Sequence, residues 1–95
     1  MTLAQIKQIL SQHLPELRKK YPIGRLALFG SYARGEETAK SDIDIMVEFD
    51  KPAGMEYIDL AFELEKLLGN KVDLVSRKAI KPRYFEYLKN DLIYV

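Results

Sequence analysis

The chain has 95 residues, 47% of them hydrophobic and 31% charged, which fits one small globular domain spanning residues 1–95 and argues against disorder. With 15 basic and 14 acidic residues the net charge is +1, so bulk electrostatics give no support for binding nucleic acid or a membrane surface. There is no cysteine and only one histidine, His13, which excludes a disulfide framework and makes a zinc site a poor expectation.

The first element reads as a helix. Leu3, Ile6, Leu10, His13, Leu14 and Leu17 recur at spacings of three and four, with Thr2 placed as an N-cap. His13 falls on the apolar face as a packed or half-buried side chain, and Pro15 is expected to restart the helix. Nothing in this segment has the basic and apolar regions of a signal peptide, and no apolar run reaches the ~20 residues of a membrane span. A cytoplasmic protein is the expectation.

Pro22 and Gly24 mark a turn, and Arg25 to Phe29 reads as a buried strand ending at Gly30. Ser31 to Arg34 suits one helical turn, and Gly35 to Lys40 a polar loop. Asp42 to Phe49 alternates as a strand, with Ile43, Ile45, Val47 and Phe49 on one face and Asp42, Asp44, Met46 and Glu48 on the other. A helix follows, its core stripe formed by Tyr57, Leu60, Ala61, Leu64, Leu67 and Leu68, and Gly69-Asn70 stops it. Lys71 to Val75 is a third strand. Pro82 opens a last helix to about Lys89, and Leu92 to Val95 suits a short terminal strand. The order is α-β-β-α-β-α with a final β, and the expected fold class is α/β (α+β): a small mixed sheet with helices packed on it.

Three aspartates carry the chemical signal. Side chains two apart on a strand share a face, roughly 6–7 Å apart at the backbone, so Asp42 and Asp44 can converge on one small object. At an effective dielectric of ~20 two such carboxylates repel by roughly 3 kcal/mol. Asp73 sits mid-strand between residues that look buried, where an acid is unfavourable unless a cation faces it. Mg²⁺ would answer both problems: it takes oxygen ligands and commonly binds carboxylates together with substrate phosphates. In a two-metal site the ions sit roughly 3.5–4 Å apart, so one of the Asp42/Asp44 pair would bridge them. The turn at Gly30 and Ser31 can aim backbone N–H groups and a hydroxyl at phosphate oxygens, and Arg34 is placed to add a contact. Each piece alone is common. Asp-x-Asp is usually a solvated strand face, and Gly-Ser is usually a plain turn.

Taken together, Gly30-Ser31-Tyr32-Ala33-Arg34-Gly35-Glu36, Ser41-Asp42-Ile43-Asp44-Ile45 and the later Asp73 resemble the nucleotidyltransferase superfamily related to DNA polymerase beta, and its minimal nucleotidyltransferase (MNT) branch in particular. The resemblance runs from about Ile23 to the C-terminus. It implies the nucleotidyltransferase fold, two Mg²⁺ ions and an NTP donor, ATP first among them. It implies that Gly30 and Ser31 hold the triphosphate tail, with Arg34 and Ser41 as further phosphate-binding candidates. Asp42 and Asp44 would ligate both metals. Asp73 would ligate the catalytic metal and help deprotonate the attacking hydroxyl. Many members carry arginine after Gly-Ser, where this chain has Tyr32.

MNT proteins typically pair with a helical HEPN toxin, act as antitoxin and can add AMP to a tyrosine of the toxin. The resemblance therefore implies a protein adenylyltransferase with a HEPN partner, in a homo- or hetero-oligomer, without direct binding to nucleic acid. Met55, Ile58 and Phe62 form a second apolar stripe beside the core stripe, and Tyr84, Phe85, Tyr87 and Tyr94 crowd the C-terminus, where aromatic surfaces often mark interfaces. A plain core role is the competing reading for those side chains. Neutralisation by binding alone, and transfer to a small molecule or RNA, are the alternatives to protein modification.

Overall fold

The computed structural model describes residues 1–95. Its first helix, α1 (Leu3–Lys20), begins with a capping box: Thr2 Oγ1 accepts from the Gln5 amide at 3.2 Å, and Gln5 Oε1 accepts from the Thr2 amide at 2.8 Å. Ile6, Leu10, Leu14 and Leu17 form the buried stripe, and His13 beside it is half-buried. The expected restart at Pro15 does not occur; the helix runs through it. Pro15 is exposed, so water can satisfy the Ser11 carbonyl that loses its partner, and the apolar stripe on both sides holds the helical register. Replacing Pro15 by alanine restores that hydrogen bond and should raise stability by about 1–2 kcal/mol in urea unfolding. A loss of stability would mean instead that the ring packs usefully.

The strands are β1 (Ile23–Phe29), β2 (Ile43–Phe49), β3 (Val72–Ser76) and β4 (Ile93–Tyr94), in the sheet order β3-β2-β1-β4. β1 is antiparallel to both β2 and β4, while β2 and β3 are parallel, so the sheet is mixed as expected. The five-residue helix α2 (Gly30–Arg34) follows β1 directly. Helix α3 (Met55–Leu68) makes the crossover between the parallel pair, and α4 (Pro82–Leu88) lies near the C-terminus. Gly24 lies inside β1 instead of in a turn before it, at a register shift against β2.

One face of the sheet buries Leu26, Leu28, Ile43, Ile45, Val47, Val72 and Leu74 against the apolar stripes of α1 and α3, the latter Leu60, Leu64 and Leu68. Lys20 and Tyr21 at the end of α1 both reach Glu63 on α3, at 3.0 and 2.8 Å, which ties the two helices together. The opposite face is not simply polar. Met46, on the same face of β2 as Asp44 and Glu48, is fully buried, as is its β1 neighbour Ala27. The short 3-10 turn Arg77–Ala79 packs beside β2 after β3 and helps close this patch. An apolar middle thus separates two polar rows on this face. One contains Asp44 and Asp73, and the other Arg25 and Glu48. No helix is long and apolar enough to cross a membrane.

Candidate active site

Ile43 and Ile45 are fully buried, and they pin the middle of the site-bearing strand. Alternation turns Asp44, between them, to the other face. The parallel register sets Asp44 level with Asp73 on β3, and the antiparallel register sets it level with Phe29 at the end of β1. Two like charges directly opposite across neighbouring strands destabilise a sheet. Asp42 lies one residue before β2, half-buried.

The electrostatic consequence is concentrated on Asp44. Partial burial, then the charges of Asp73 and Asp42, push its pKa from 3.8 up to about 6, against a weaker downward pull from Arg34. None of the three aspartates takes part in an ion pair; the chain's ion pairs all involve other residues.

Two expectations about these acids need correction. Asp73 is exposed, because β3 is an edge strand, so burial does not by itself demand a cation there. The three carboxylates are also neighbours without forming a ready cage: no three acidic or histidine side chains stand close enough together to hold an ion as they are. The donors are all oxygen, which suits a hard cation such as Mg²⁺, and the backbones of Asp44 and Asp73 are already adjacent.

Gly30 fits closely against this cluster. Its φ is +75°, and a Cβ added there would lie 2.1 Å from Asp44 Oδ2 and 2.9 Å from Asp44 Cγ. The backbone at the start of α2 therefore touches the central carboxylate. No side chain caps α2, so its first amides keep no side-chain acceptor, and Ser31 sits half-buried in that turn.

The other predicted phosphate residues are occupied within the fold. Arg34 is exposed, and its Nε donates to Glu36 Oε1 at 2.8 Å and its NH1 to Asp91 Oδ2 at 3.0 Å. Those two acceptors raise its pKa further. Ser41 Oγ accepts from the Thr38 amide at 2.8 Å and closes the loop leading into β2. Tyr32 is a core side chain, 5% exposed, within hydrogen-bond reach of Asn70 at 3.5 Å. The ring at this position is part of the hydrophobic core.

Two neighbours of the site were not legible as such. Tyr57, read as core, donates its hydroxyl to the Leu74 carbonyl; burial and the charge of Asp73 raise its pKa. Asp91 reaches Arg34 from 57 positions away, and no local pattern marks it. The largest cavity, about 650 Å³, is lined by residues such as Arg18, Gly24, Asp50 and Glu56 at the other end of β1, and contains none of the candidate site residues. The aspartates stand on an open face.

A mixed four-stranded sheet with acids paired across its parallel strands and a glycine turn against the central one defines the class: a nucleotidyltransferase-type enzyme. Sequence comparison agrees, since the nucleotidyltransferase domain family matches residues 10–95. The chain belongs to that family. It is 53% identical to a Methanocaldococcus jannaschii protein described as a "putative protein adenylyltransferase", over 99% of this chain and 98% of the relative. It is 38% identical to the protein adenylyltransferase MntA of Thermococcus cleftensis, over 100% of this chain and 97% of the relative. Among solved structures it resembles one described as a "putative minimal nucleotidyltransferase", with a TM-score of 0.76, 33% identity and coverage of 98% and 95% of the two chains. It also resembles a chain in a crystal structure of a toxin-antitoxin with AMP-PNP, with a TM-score of 0.60, 29% identity and coverage of 74% of this chain and 59% of that one.

Proposed function

We propose that the chain is a Mg²⁺-dependent protein adenylyltransferase that moves AMP from ATP onto a tyrosine hydroxyl of a HEPN-type toxin partner, and so acts as an antitoxin. The observation that carries this reading is the pairing of Asp44 with Asp73 in register, unneutralised, with the Gly30 backbone against Asp44. The names of the relatives and the toxin-antitoxin likeness support the choice of acceptor.

Asp42, Asp44 and Asp73 would hold the divalent ions, which supply charge stabilisation at the attacking and leaving oxygens. The Gly30–Ser31 backbone would orient the triphosphate, with Arg34 contributing donors at its edge and Ser41 fixing the loop that leads to Asp42. Asp73, exposed on the edge strand, is accessible to an acceptor from outside and would take the hydroxyl proton. The hydroxyl oxygen then bonds to the α-phosphorus, and the bond to the bridging oxygen breaks to release pyrophosphate. The partner would supply what the open face lacks: the acceptor, its positioning and a cover against water.

A stripe on α3 supports a protein acceptor over a small molecule or RNA. Met55, Ile58 and Phe62 are 67%, 45% and 66% exposed, an apolar surface suited to a protein. The same stripe suits neutralisation by binding alone. The test is transfer of label from α-labelled ATP to the co-expressed partner. Label should appear with Mg²⁺ and vanish in Asp42→Asn and Asp44→Asn. Full neutralisation by the double variant at native expression would favour binding alone, and labelling of RNA with no protein labelled would reverse the choice of acceptor.

A further inference from the structure

We infer that Asp91 is a positioning residue that holds the Arg34 guanidinium at the triphosphate edge of the site. The inference rests on the nucleotide-binding reading above and extends it to the C-terminal segment. β4 pairs with β1 antiparallel, with Leu28 level with Ile93 and Ala27 with Tyr94. β1 runs into α2 while β4 runs away from it, so the residues just before β4 lie beside the start of α2. Asp91, in the 3-10 turn Lys89–Asp91, is carried there by that register.

The contact itself is directional. Asp91 Oδ2 takes NH1 at 3.0 Å while Glu36 Oε1 takes Nε at 2.8 Å, on two different nitrogens of the guanidinium. A guanidinium carries more N–H donors than these two contacts use, and NH2 is in neither of them. The arrangement fixes the plane of the group and keeps donors for an anion. It also answers a specific hazard. An unrestrained arginine next to three unpaired carboxylates would be drawn onto them, and Arg34 is near enough to Asp44 for its charge to be felt there. Glu36 and Asp91 take up two of its donors and so compete with the aspartates for the group. Exposed flexible side chains otherwise lose rotamer freedom when they bind, and pre-orientation lowers that cost.

The test is a double-mutant cycle on ATP binding, with Mg²⁺ present, by isothermal titration of the full chain. Arg34→Ala should weaken binding about tenfold. Asp91→Ala should weaken it about threefold, the scale of an exposed pair. In the Arg34→Ala background Asp91→Ala should change nothing further, and Asp91→Glu should restore part of the affinity. A loss of equal size in both backgrounds would assign Asp91 a structural role and overturn the inference, as would unchanged binding in either single variant. Failure of the unsubstituted chain to bind ATP would overturn the site reading itself, and this inference with it.

Discussion

Asparagine at position 44 is expected to lower nucleotidyl transfer by about a thousandfold or more while making the resting protein more stable at neutral pH. The activity loss follows from removing the central one of three proposed metal ligands, since metal stabilisation of the transferring charge is worth several kcal/mol, and each ~1.4 kcal/mol is about tenfold in rate. The gain in stability follows from the cost that Asp44 imposes on the fold. Its pKa is raised from 3.8 to about 6, first by burial and then by Asp73 and Asp42. The folded chain therefore keeps this proton to a higher pH than the unfolded chain. Below about pH 3.8 both states are protonated and the group costs nothing. As pH climbs to about 6 the unfolded state ionises first, and stability falls. Above that the penalty stays constant. The shift corresponds to about 3 kcal/mol, which solvent screening at a partly open site reduces to about 1–2 kcal/mol.

Asparagine never carries that charge. Urea unfolding in EDTA should show the variant level with the parent near pH 3.5 and more stable by about 1–2 kcal/mol at pH 7.5. Added Mg²⁺ should stabilise only the parent and narrow the gap, because a bound cation relieves the repulsion. A variant less stable than the parent at pH 7.5, or a gap of one size at both pH values, would show that Asp44 carries no such penalty.

The same residue shows what local sequence reveals and what it leaves out. Alternation in β2 placed Ile43 and Ile45 in the core and Asp44 across from them, since strand periodicity is a local property. That Asp44 stands level with Asp73 depends on the parallel register, which the crossover helix and the common core set together. Met46 escaped for a related reason. Its face is polar by sequence, but its strand neighbour Ala27 is buried too and the 3-10 turn Arg77–Ala79 packs beside β2. Asp73 was read as sitting between buried residues, and it does, but strand alternation turns it to the opposite face, where it is exposed on the edge strand. Arg34 was legible as a basic residue near the turn, whereas its tie to Asp91 exists only once β4 is paired with β1. Pro15 was misjudged because propensity penalises an interior proline without knowing that the lost hydrogen bond faces water. Register between distant strands is what the local pattern could not supply.

Alanine at Gly30 is expected to destabilise the chain by about 2–4 kcal/mol and to abolish transfer. Two terms add. A side chain at φ +75° costs about 1–2 kcal/mol in backbone strain. The new Cβ would also lie 2.1 Å from Asp44 Oδ2, so the carboxylate must move. The Asp44 backbone cannot retreat, because Ile43 and Ile45 on either side are fully buried. Only the carboxylate can swing, away from the turn it faces and out of the position proposed for the metal. Gly35 provides the control. Its φ is +72°, but an added Cβ meets nothing within 4 Å. Gly35→Ala should cost only the strain, about 1–2 kcal/mol in urea unfolding, and leave transfer close to the parent's. Coupling gives a sharper check: truncating Asp44 to alanine removes the clashing atoms, so Gly30→Ala/Asp44→Ala should be more stable than Gly30→Ala alone, although inactive. Equal losses of activity in the two glycine variants, or no recovery of stability in the double variant, would mean that Gly30 serves only the bend of the chain and not the space beside Asp44.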